Sequence, residues 1–191
     1  NKACLVKHTQ RYNIVWSDFM DNKFEIFKEL DEHLMNDKEP SVFLDDMMKN
    51  ENLQKIYPFK MLADLVNTEQ SPVHHSEGNV WIHTMLVVNE AAKKREESKE
   101  PRVLMWSALL HDIGKAPTTQ NRKGKITSYN HEKVGRDMAR DFLKELTSDA
   151  DFIEKVSSMV RWHMEALFVL KDLPFSNIGQ MLKETDLNEI A

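Results

Sequence analysis

The sequence predicts an all-α fold, and three observations lead to this prediction. Glycine and proline, which interrupt regular structure, number only 5 and 6 among 191 residues. Leu, Glu and Lys, which favour helices, are frequent, and there are 11 methionines. Apolar residues recur at steps of three and four residues over most of the chain, which is the period of an amphipathic helix. We therefore expect helices packed around one hydrophobic core.

The composition is that of an ordinary folded protein. Hydrophobic residues make up 41% and charged residues 30%, with a net charge of -5. This balance argues against a broad basic surface for duplex DNA, but it allows a small phosphorylated substrate or an RNA end. Cys4 is the single cysteine, which excludes an intrachain disulfide and a multi-cysteine zinc site. We find no apolar run of 18 residues and no leader, and we expect a cytoplasmic protein without membrane contact.

Residues 1–56 are predicted to be a mostly helical N-terminal extension. Residues 1–16 show no sustained period. Ser17 is a candidate N-cap of a helix that ends before Pro40, and Ser41 is a candidate cap of a short helix after it. The first of these helices has its apolar residues at the required spacing: Met20, Phe24, Phe27, Leu30 and Leu34.

A polar loop follows a short helix that ends near Asn67. Its sequence, TEQSPVHHSEGN at 68–79, gathers His74, His75 and Glu77 between a proline and a glycine. Loops carry function more often than helices do, although adjacent loop histidines are also common on polar surfaces. The loop is therefore either a metal or substrate contact or plain surface.

Two helices come next, and both place histidine in the interior. Asn79 is predicted to cap the first, which has His83 on its buried face. Pro101 occupies the first position of the second, where a missing N–H costs nothing. This helix is apolar nearly all round, so we expect it to be central, with His111 and Asp112 at its inner end just before a glycine ends it.

The remaining chain adds a basic loop and further helices. The loop, TTQNRKGKITSYN at 118–130, contains Arg122 and is either a solvated surface or a lid that steers phosphates. His131 begins the next helix. A long helix over about 149–167 has His163 on its buried face, and a final helix contains Ile178, Met181 and Leu182.

A buried His–Asp pair is costly unless hydrogen bonds, charge pairing or a cation compensate for it. Four histidines are predicted to lie near this pair's interior position: His83, His111 itself, His131 and His163. Successive members are separated by 28, 20 and 32 residues, each about the length of one helix plus its connection. Imidazoles with a carboxylate and no thiolate suit Mn, Fe, Co, Ni or Zn, with Mg as a further option. We expect one or two such ions, the first held by His83, His111 and Asp112 and the second by Asp112, His131 and His163.

Such ions would support phosphoryl chemistry. They lower the pKa of bound water from about 15.7 toward 7, so that hydroxide is available as a nucleophile, and they clamp the oxygens of a phosphoryl centre. Lys115, directly after Gly114, is placed to neutralise a phosphate oxygen. We therefore expect Asp112 and Lys115 to be catalytic, and Lys115, Arg122 and His75 to bind substrate.

At this point the sequence resembles the HD superfamily of metal-dependent phosphohydrolases, and within it the HD domain attached to bacterial tRNA nucleotidyltransferases. The likeness covers about residues 59–190. It rests on these strings, which occur in the family's order: QSPVHHSEGNVWIHT at 70–84, LLHDIGK at 109–115, Tyr129-Asn130-His131 followed by Val134-Gly135, and MVRWHM at 159–164. The resemblance implies an HD-domain helical bundle over 57–191. It also implies phosphomonoesterase or 2′,3′-cyclic phosphodiesterase activity on nucleotides or RNA ends.

The sequence departs from the family pattern in two respects. It has no glycine-rich strand-turn with paired carboxylates, so we predict no polymerase activity. The family's distal Asp ligand has Asp186 as its only candidate near the end, and Asp186 precedes the run LNEI at 187–190, whereas the family's Asp would follow such a run. We expect Asp186 to be an exposed turn residue, with the true ligand beyond Ala191 and a further fused or removed C-terminal domain.

Two alternatives stay open at this stage. The first is a non-catalytic module of a larger protein that binds a nucleotide or holds a structural metal. The second, within the enzymes, is a hydrolase of nucleoside triphosphates or of signalling nucleotides, since HD domains share the metal site and differ in their loops.

Overall fold

A computed structural model describes residues 19–51 and 53–186, and there it confirms the predicted all-α fold. Each helix that carries a predicted ligand is present. The helices are α1 Phe19–Asn36, α2 Ser41–Met48, α3 Lys60–Val66, α4 Val80–Lys94, α5 Pro101–Leu110, α6 Lys115–Thr118, α7 His131–Lys144, α8 Ala150–Trp162, α9 Glu165–Leu170 and α10 Ile178–Glu184. Short 3-10 helices lie at Leu53–Lys55 and Arg95–Glu97, and two strands, β1 Gln120–Arg122 and β2 Lys125–Thr127, form a hairpin. Across this described part, no helix combines the length and apolarity needed to cross a bilayer.

Helix α5 lies at the centre of the hydrophobic core, as its apolar surface predicts. Trp106, Leu109 and Leu110 are fully buried. The Trp106 ring packs 5.0 Å from the Phe27 ring of α1, and its Nε1 donates to Asp31 at 2.7 Å. The described part of the N-terminal extension therefore shares one core with the rest of the chain. The domain division at residue 57 stays a prediction, and the expectations for residues 1–16 and for Ser17 lie outside the described residues.

The helix caps follow the predictions in two cases and differ in one. The Asn79 side chain accepts a hydrogen bond from the Ile82 N–H at 2.9 Å, and Pro101 is the first residue of α5. The prediction for Ser41 was wrong, because α2 begins at Ser41 itself. Its hydroxyl instead accepts a hydrogen bond from the Asn89 side chain of α4, and so joins two helices.

The long helix predicted over 149–167 is broken, which corrects the sequence interpretation. Helix α8 ends at Trp162 and α9 begins at Glu165. At the break, the Nδ1 atom of His163 donates to the Val160 carbonyl at 2.7 Å, an acceptor that a continuing helix would use for its own backbone. The apolar period continues through the break, so periodicity alone could not reveal it.

The basic loop forms a β-hairpin, which the sequence interpretation missed. Arg122 pairs with Lys125, and the two connecting residues, Lys123 and Gly124, have φ of 52° and 82°. Two positive φ angles in a two-residue connection are those of a type I′ turn, whose twist matches that of paired strands. The Asn121 side chain accepts a hydrogen bond from the Gly124 N–H at 2.9 Å and so supports the turn.

Candidate metal centre

The carboxylate of Asp112 lies at the centre of a cluster of imidazole rings, and only 2% of its side chain is exposed. Four Nε2 atoms surround its two oxygens, at 3.1 Å for His111, 3.3 Å for His131 and 3.8 Å for both His83 and His163. The structure thus brings together all five residues that the sequence predicted as metal ligands.

Three of the histidines lie at helix ends, and this position orients their rings. His111 directly follows α5, His163 directly follows α8, and His131 is the first residue of α7. Each donates its Nδ1 hydrogen to the carbonyl three residues earlier, over 2.7 to 2.9 Å. Carbonyls at a helix C-terminus have no partner within the helix and are free to accept, as Ala108 and Val160 do here. A backbone acceptor on Nδ1 holds Nε2 in a fixed direction, as in many metal-binding histidines.

His83 differs because it lies inside α4. Its Nδ1 atom is 2.8 Å from Oε1 of Glu77, and the Nδ1 atom of His75 is 2.9 Å from the same oxygen. Glu77 has its pKa lowered to about 2, first by hydrogen bonding to backbone and then by the two histidines, so it is ionised at neutral pH. An ionised carboxylate only accepts, so both histidines donate from Nδ1.

This hydrogen bonding leaves lone pairs facing each other at the centre. With Nδ1 protonated, a neutral imidazole has its lone pair on Nε2. The Nε2 atoms of His131 and His163 lie only 3.2 Å apart, and the buried Oδ1 of Asp112 has no hydrogen-bond partner among the residues that the structure describes. Electron pairs and a buried carboxylate that converge in this way need a cation between them. The donor set therefore fits a divalent metal ion.

The ligand atoms fall into overlapping groups of three, each with its atoms within 4.8 Å of one another. One group contains His83, His111 and Asp112, and a second contains Asp112, His131 and His163. These are the two sets expected from the sequence, with Asp112 shared. A third group joins His83 to His75 and Glu77 of the loop that the sequence left open as a metal contact.

The protonation states of Asp112 and of three of the four histidines suit a metal site. Burial would raise the pKa of Asp112, but the charges of His111 and Lys115 hold it well below its usual value, so the group is a carboxylate. Burial lowers the pKa of three histidines and keeps them neutral: His83, His131 and His163, the last to about 3. Burial also acts against a charge on His111, yet the adjacent Asp112 outweighs it and raises the pKa.

Gly114 allows the turn that carries the His–Asp pair to approach α7. A Cβ atom at this position would lie 2.1 Å from the His131 carbonyl oxygen and 2.6 Å from the Gly135 nitrogen. The sequence interpretation assigned Gly114 to the end of a helix, but α5 ends at Leu110, before the histidine. The glycine is required by close packing of two backbone segments, with an ordinary φ of −72°.

A cavity of about 520 Å³ opens beside the cluster. It contains all five cluster residues and the predicted substrate residues His75 and Lys115 in its walls. Further polar residues in these walls were not predicted from the sequence, among them Gln70 and Lys171. Gln70 accepts a hydrogen bond from Lys115 Nζ at 3.1 Å, and Lys171, just after α9, adds a second cation. Lys115 also lies 2.8 Å from Oδ2 of Asp112.

Arg122 is not among the residues that line this cavity. Ile126 lines it, and successive residues of a strand point to opposite faces. Arg122 pairs with Lys125, so its side chain is on the face opposite to Ile126. Its guanidinium lies 5.0 Å from the ring centroid of the exposed Tyr129. The substrate contact predicted for Arg122 therefore gains no support from the geometry.

Asp186 lies in a different cleft, lined also by Glu100 and Lys155. Its carboxylate is 2.7 Å from Nζ of Lys99, and its side chain is 41% exposed. This agrees with the expectation of an exposed residue apart from the metal cluster. The distal ligand expected beyond Ala191 stays a prediction.

Comparison with known proteins gives one family. A sequence model of the HD domain matches residues 80–187, which is more than half of the chain. The matched range includes all five residues of the cluster around Asp112. No solved structure matches.

The curated relatives include multifunctional CCA proteins and a CC-adding tRNA nucleotidyltransferase. The CC-adding tRNA nucleotidyltransferase of Thermus thermophilus is 34% identical over 109 residues, 56% of this chain and 24% of the relative. The multifunctional CCA protein of Halorhodospira halophila is 32% identical over 123 residues, 64% of this chain and 28% of the relative. The multifunctional CCA protein of Hahella chejuensis is 28% identical over 154 residues, which are 80% of this chain and 34% of the relative. The chain thus spans between about a quarter and a third of these relatives.

Proposed function

The chain belongs to the HD domain family, and from this premise we propose that it is a metal-dependent phosphohydrolase acting on nucleotide or RNA-end phosphoesters. Its reaction would be that of a 2′,3′-cyclic phosphodiesterase or a phosphomonoesterase. The observation that carries the proposal is the buried Asp112, whose Oδ1 has no partner and whose surroundings are four imidazole Nε2 atoms. The name of one relative, the CC-adding tRNA nucleotidyltransferase, supports an RNA end as the substrate.

Asp112 would bridge two ions, since both of its oxygens face imidazoles. Oδ2 lies toward His83 and His111, and Oδ1 lies toward His131 and His163. Divalent ions held there would supply a water of lowered pKa and positive charge for the phosphoryl oxygens.

The cavity residues would bind and orient the phosphate. Lys115 is 2.8 Å from Asp112 and hydrogen-bonded to Gln70, so its ammonium is held at the inner end of the cavity. A fixed ammonium acts as a point charge for a non-bridging phosphate oxygen. Lys171 contributes a second positive charge in place of Arg122. His75, whose Nδ1 is bound to Glu77, has its Nε2 available for a substrate oxygen.

Replacement of Asp112 by Ala tests the proposal. The purified protein would be analysed for metal and assayed with Mn, Co, Ni, Zn and Mg against 2′,3′-cyclic AMP and p-nitrophenyl phosphate. We expect hydrolysis of at least one substrate by the wild type and a fall to background in Asp112→Ala, because both metal positions lose their shared carboxylate. Circular dichroism should show unchanged helicity.

Asp186→Ala is the matched control, since this aspartate lies in another cleft, and it should keep wild-type turnover. Hydrolysis retained in Asp112→Ala would exclude the proposed mechanism. A wild type that hydrolyses neither substrate with any metal, yet binds a nucleotide in calorimetry, would favour the non-catalytic module instead.

A further inference from the structure

We propose that Glu77 is a positioning residue that fixes the tautomers of two histidines, the cluster residue His83 and the cavity residue His75, through a single carboxylate oxygen. The inference rests on the proposed function, because it concerns how the same site is held. Glu77 itself reaches neither a metal nor a substrate in this role, and it acts through the two imidazoles.

The position of His83 explains why a side chain is needed. The other three histidines of the cluster lie at helix ends and donate to backbone carbonyls. His83 lies within the first turns of α4, where backbone carbonyls accept the hydrogen bonds of the helix itself. An acceptor for its Nδ1 must therefore come from outside the helix, and Glu77 Oε1 provides it at 2.8 Å.

The chain around Glu77 is held firmly enough to place this acceptor. The next residue, Gly78, has φ of 128°, a conformation that side chains rarely adopt. Asn79 then caps α4 through its side-chain oxygen and donates from its side-chain nitrogen to the Val66 carbonyl at 2.9 Å. The carboxylate therefore enters the site from a loop that is anchored to two helices, α3 and α4.

The same oxygen orients His75. Its Nδ1 atom donates to Glu77 Oε1 at 2.9 Å, and its ring lies edge-on to that of His83 with centroids 4.6 Å apart. With Nδ1 committed to Glu77, only Nε2 of His75 is left for a ligand in the cavity that this residue lines. Glu77 thus links the substrate side of the site to its metal side.

His75, Glu77 and His83 also lie close enough to hold an ion of their own. We favour the positioning role because Nδ1 of His83 cannot donate to Glu77 and bind an ion at once. A ring with Nδ1 protonated presents Nε2 to Asp112, which lies 3.8 Å away. The number of bound ions distinguishes the two interpretations.

The experiment compares Glu77→Ala and Glu77→Gln with the wild type. Long-range ¹H–¹⁵N NMR of the metal-free protein reports the histidine tautomers, and competition with a chelator reports Co²⁺ affinity and stoichiometry. In the wild type, His83 and His75 should carry the hydrogen on Nδ1. Glu77→Ala should populate the other tautomer and raise the Kd for Co²⁺ by about 10- to 100-fold, as loss of a partner of a metal-binding histidine does.

Glu77→Gln should have tautomer populations and a Kd for Co²⁺ between those of the wild type and Glu77→Ala, because its amide oxygen still accepts two hydrogen bonds but has no charge. Both variants should bind as many ions as the wild type. Glu69→Ala, an exposed glutamate of the same loop, is the matched control and should change none of these quantities.

Two results would overturn the inference: unchanged tautomers and Kd in Glu77→Ala, or the loss of one full equivalent of Co²⁺ in that variant. Neither measurement depends on turnover. A wild type without hydrolase activity in which Glu77→Ala still weakens Co²⁺ binding would therefore reject the proposed function alone.

Discussion

Gly114 shows how much the cluster depends on the absence of one side chain. The turn that carries His111 and Asp112 touches the first turn of α7 backbone to backbone. A Cβ atom would meet the carbonyl oxygen of His131 at 2.1 Å, and backbone cannot move aside as the end of a flexible side chain can. The two segments would have to separate, and His111 would move away from His131.

Gly114→Ala is therefore expected to destabilise the fold by about 1 to 3 kcal/mol or more, as overpacking of an interior does. It should also weaken Co²⁺ binding, because the cluster is pulled apart. Urea unfolding and metal titration of the purified variant measure the two effects.

Gly179→Ala is the contrasting substitution. A Cβ atom there would have no neighbour within 4 Å in the described part of the chain, and the residue lies in α10. Alanine is the better helix former, so stability should stay the same or rise by up to about 1 kcal/mol. Equal losses of stability in the two variants would contradict the close-packing argument.

The pairing of α7 with α8 positions His131 relative to His163. Apolar residues such as Phe142 and Val156 are buried between these helices and their neighbours. On the outer side, Glu154 of α8 accepts hydrogen bonds from Arg136 and Arg140 of α7, at 3.2 Å and 2.6 Å. These hydrogen bonds lower the pKa of Glu154, and the one from Arg140 has the larger effect.

This lowered pKa predicts a pH-dependent contribution to stability. A carboxyl group whose pKa is lowered on folding stabilises the folded state above its unfolded pKa, here 4.5, and the contribution is lost as the pH falls through the folded value. Glu154→Gln should thus reduce stability at neutral pH by less than about 1 kcal/mol, since the pair is half exposed. Urea unfolding should show the difference from wild type vanishing well below pH 4.5.

Glu25→Gln, in an exposed position of α1, should show no such trend. A difference between Glu154→Gln and wild type that persists unchanged into acid would mean that the ion pairs do not link α7 to α8 energetically.

Over the molecule as a whole, the cluster around Asp112 joins side chains from four helices or their ends. Without a bound ion, the hydrophobic core would enclose a buried charge at this point. His83 comes from α4, the His–Asp pair follows α5, and the other two histidines come from α7 and the end of α8. Metal-free protein has to tolerate a buried oxygen of Asp112 to which no group in residues 19–51 and 53–186 donates a hydrogen bond. An ion that binds only the folded state stabilises it by mass action.

We therefore expect divalent metal to raise the Tm, and a chelator to lower it. At a free metal concentration of about 100 times the Kd, the gain is about 2.7 kcal/mol. Asp112→Asn should lose this gain, as thermal unfolding with and without Co²⁺ would show.

His33→Ala provides the comparison, because His33 stacks on Phe43 outside the cluster at 3.7 Å between ring centroids. This substitution should lower the Tm both with and without metal, but the rise in Tm that Co²⁺ causes should be the same as in the wild type. If Co²⁺ raised the Tm of the wild type and of Asp112→Asn by the same amount, the stabilising ion would bind elsewhere.

Much of this architecture could be predicted from local patterns. Helical periods, the Asn79 cap and Pro101 depend on neighbouring residues only, and the structure agrees with them. Periodicity says less about the outer side of α4, where the apolar residues Ile82 and Leu86 are 43% and 51% exposed. Which apolar residues are covered depends on the helices that pack nearby, and these come from elsewhere in the chain.

The sequence by itself determined the helical fold class and the set of histidines around Asp112, because buried imidazoles and a carboxylate are costly and stand out against an apolar helix face. Only the tertiary structure decided which acceptors orient them: carbonyls at helix C-termini for His111 and His163, a loop carbonyl for His131, and Glu77 for His83. It also placed Lys171 in the cavity and turned Arg122 away from it. The physical reason is that cost of burial is a property of a residue type, whereas hydrogen-bond geometry depends on segments that meet only after the chain has folded.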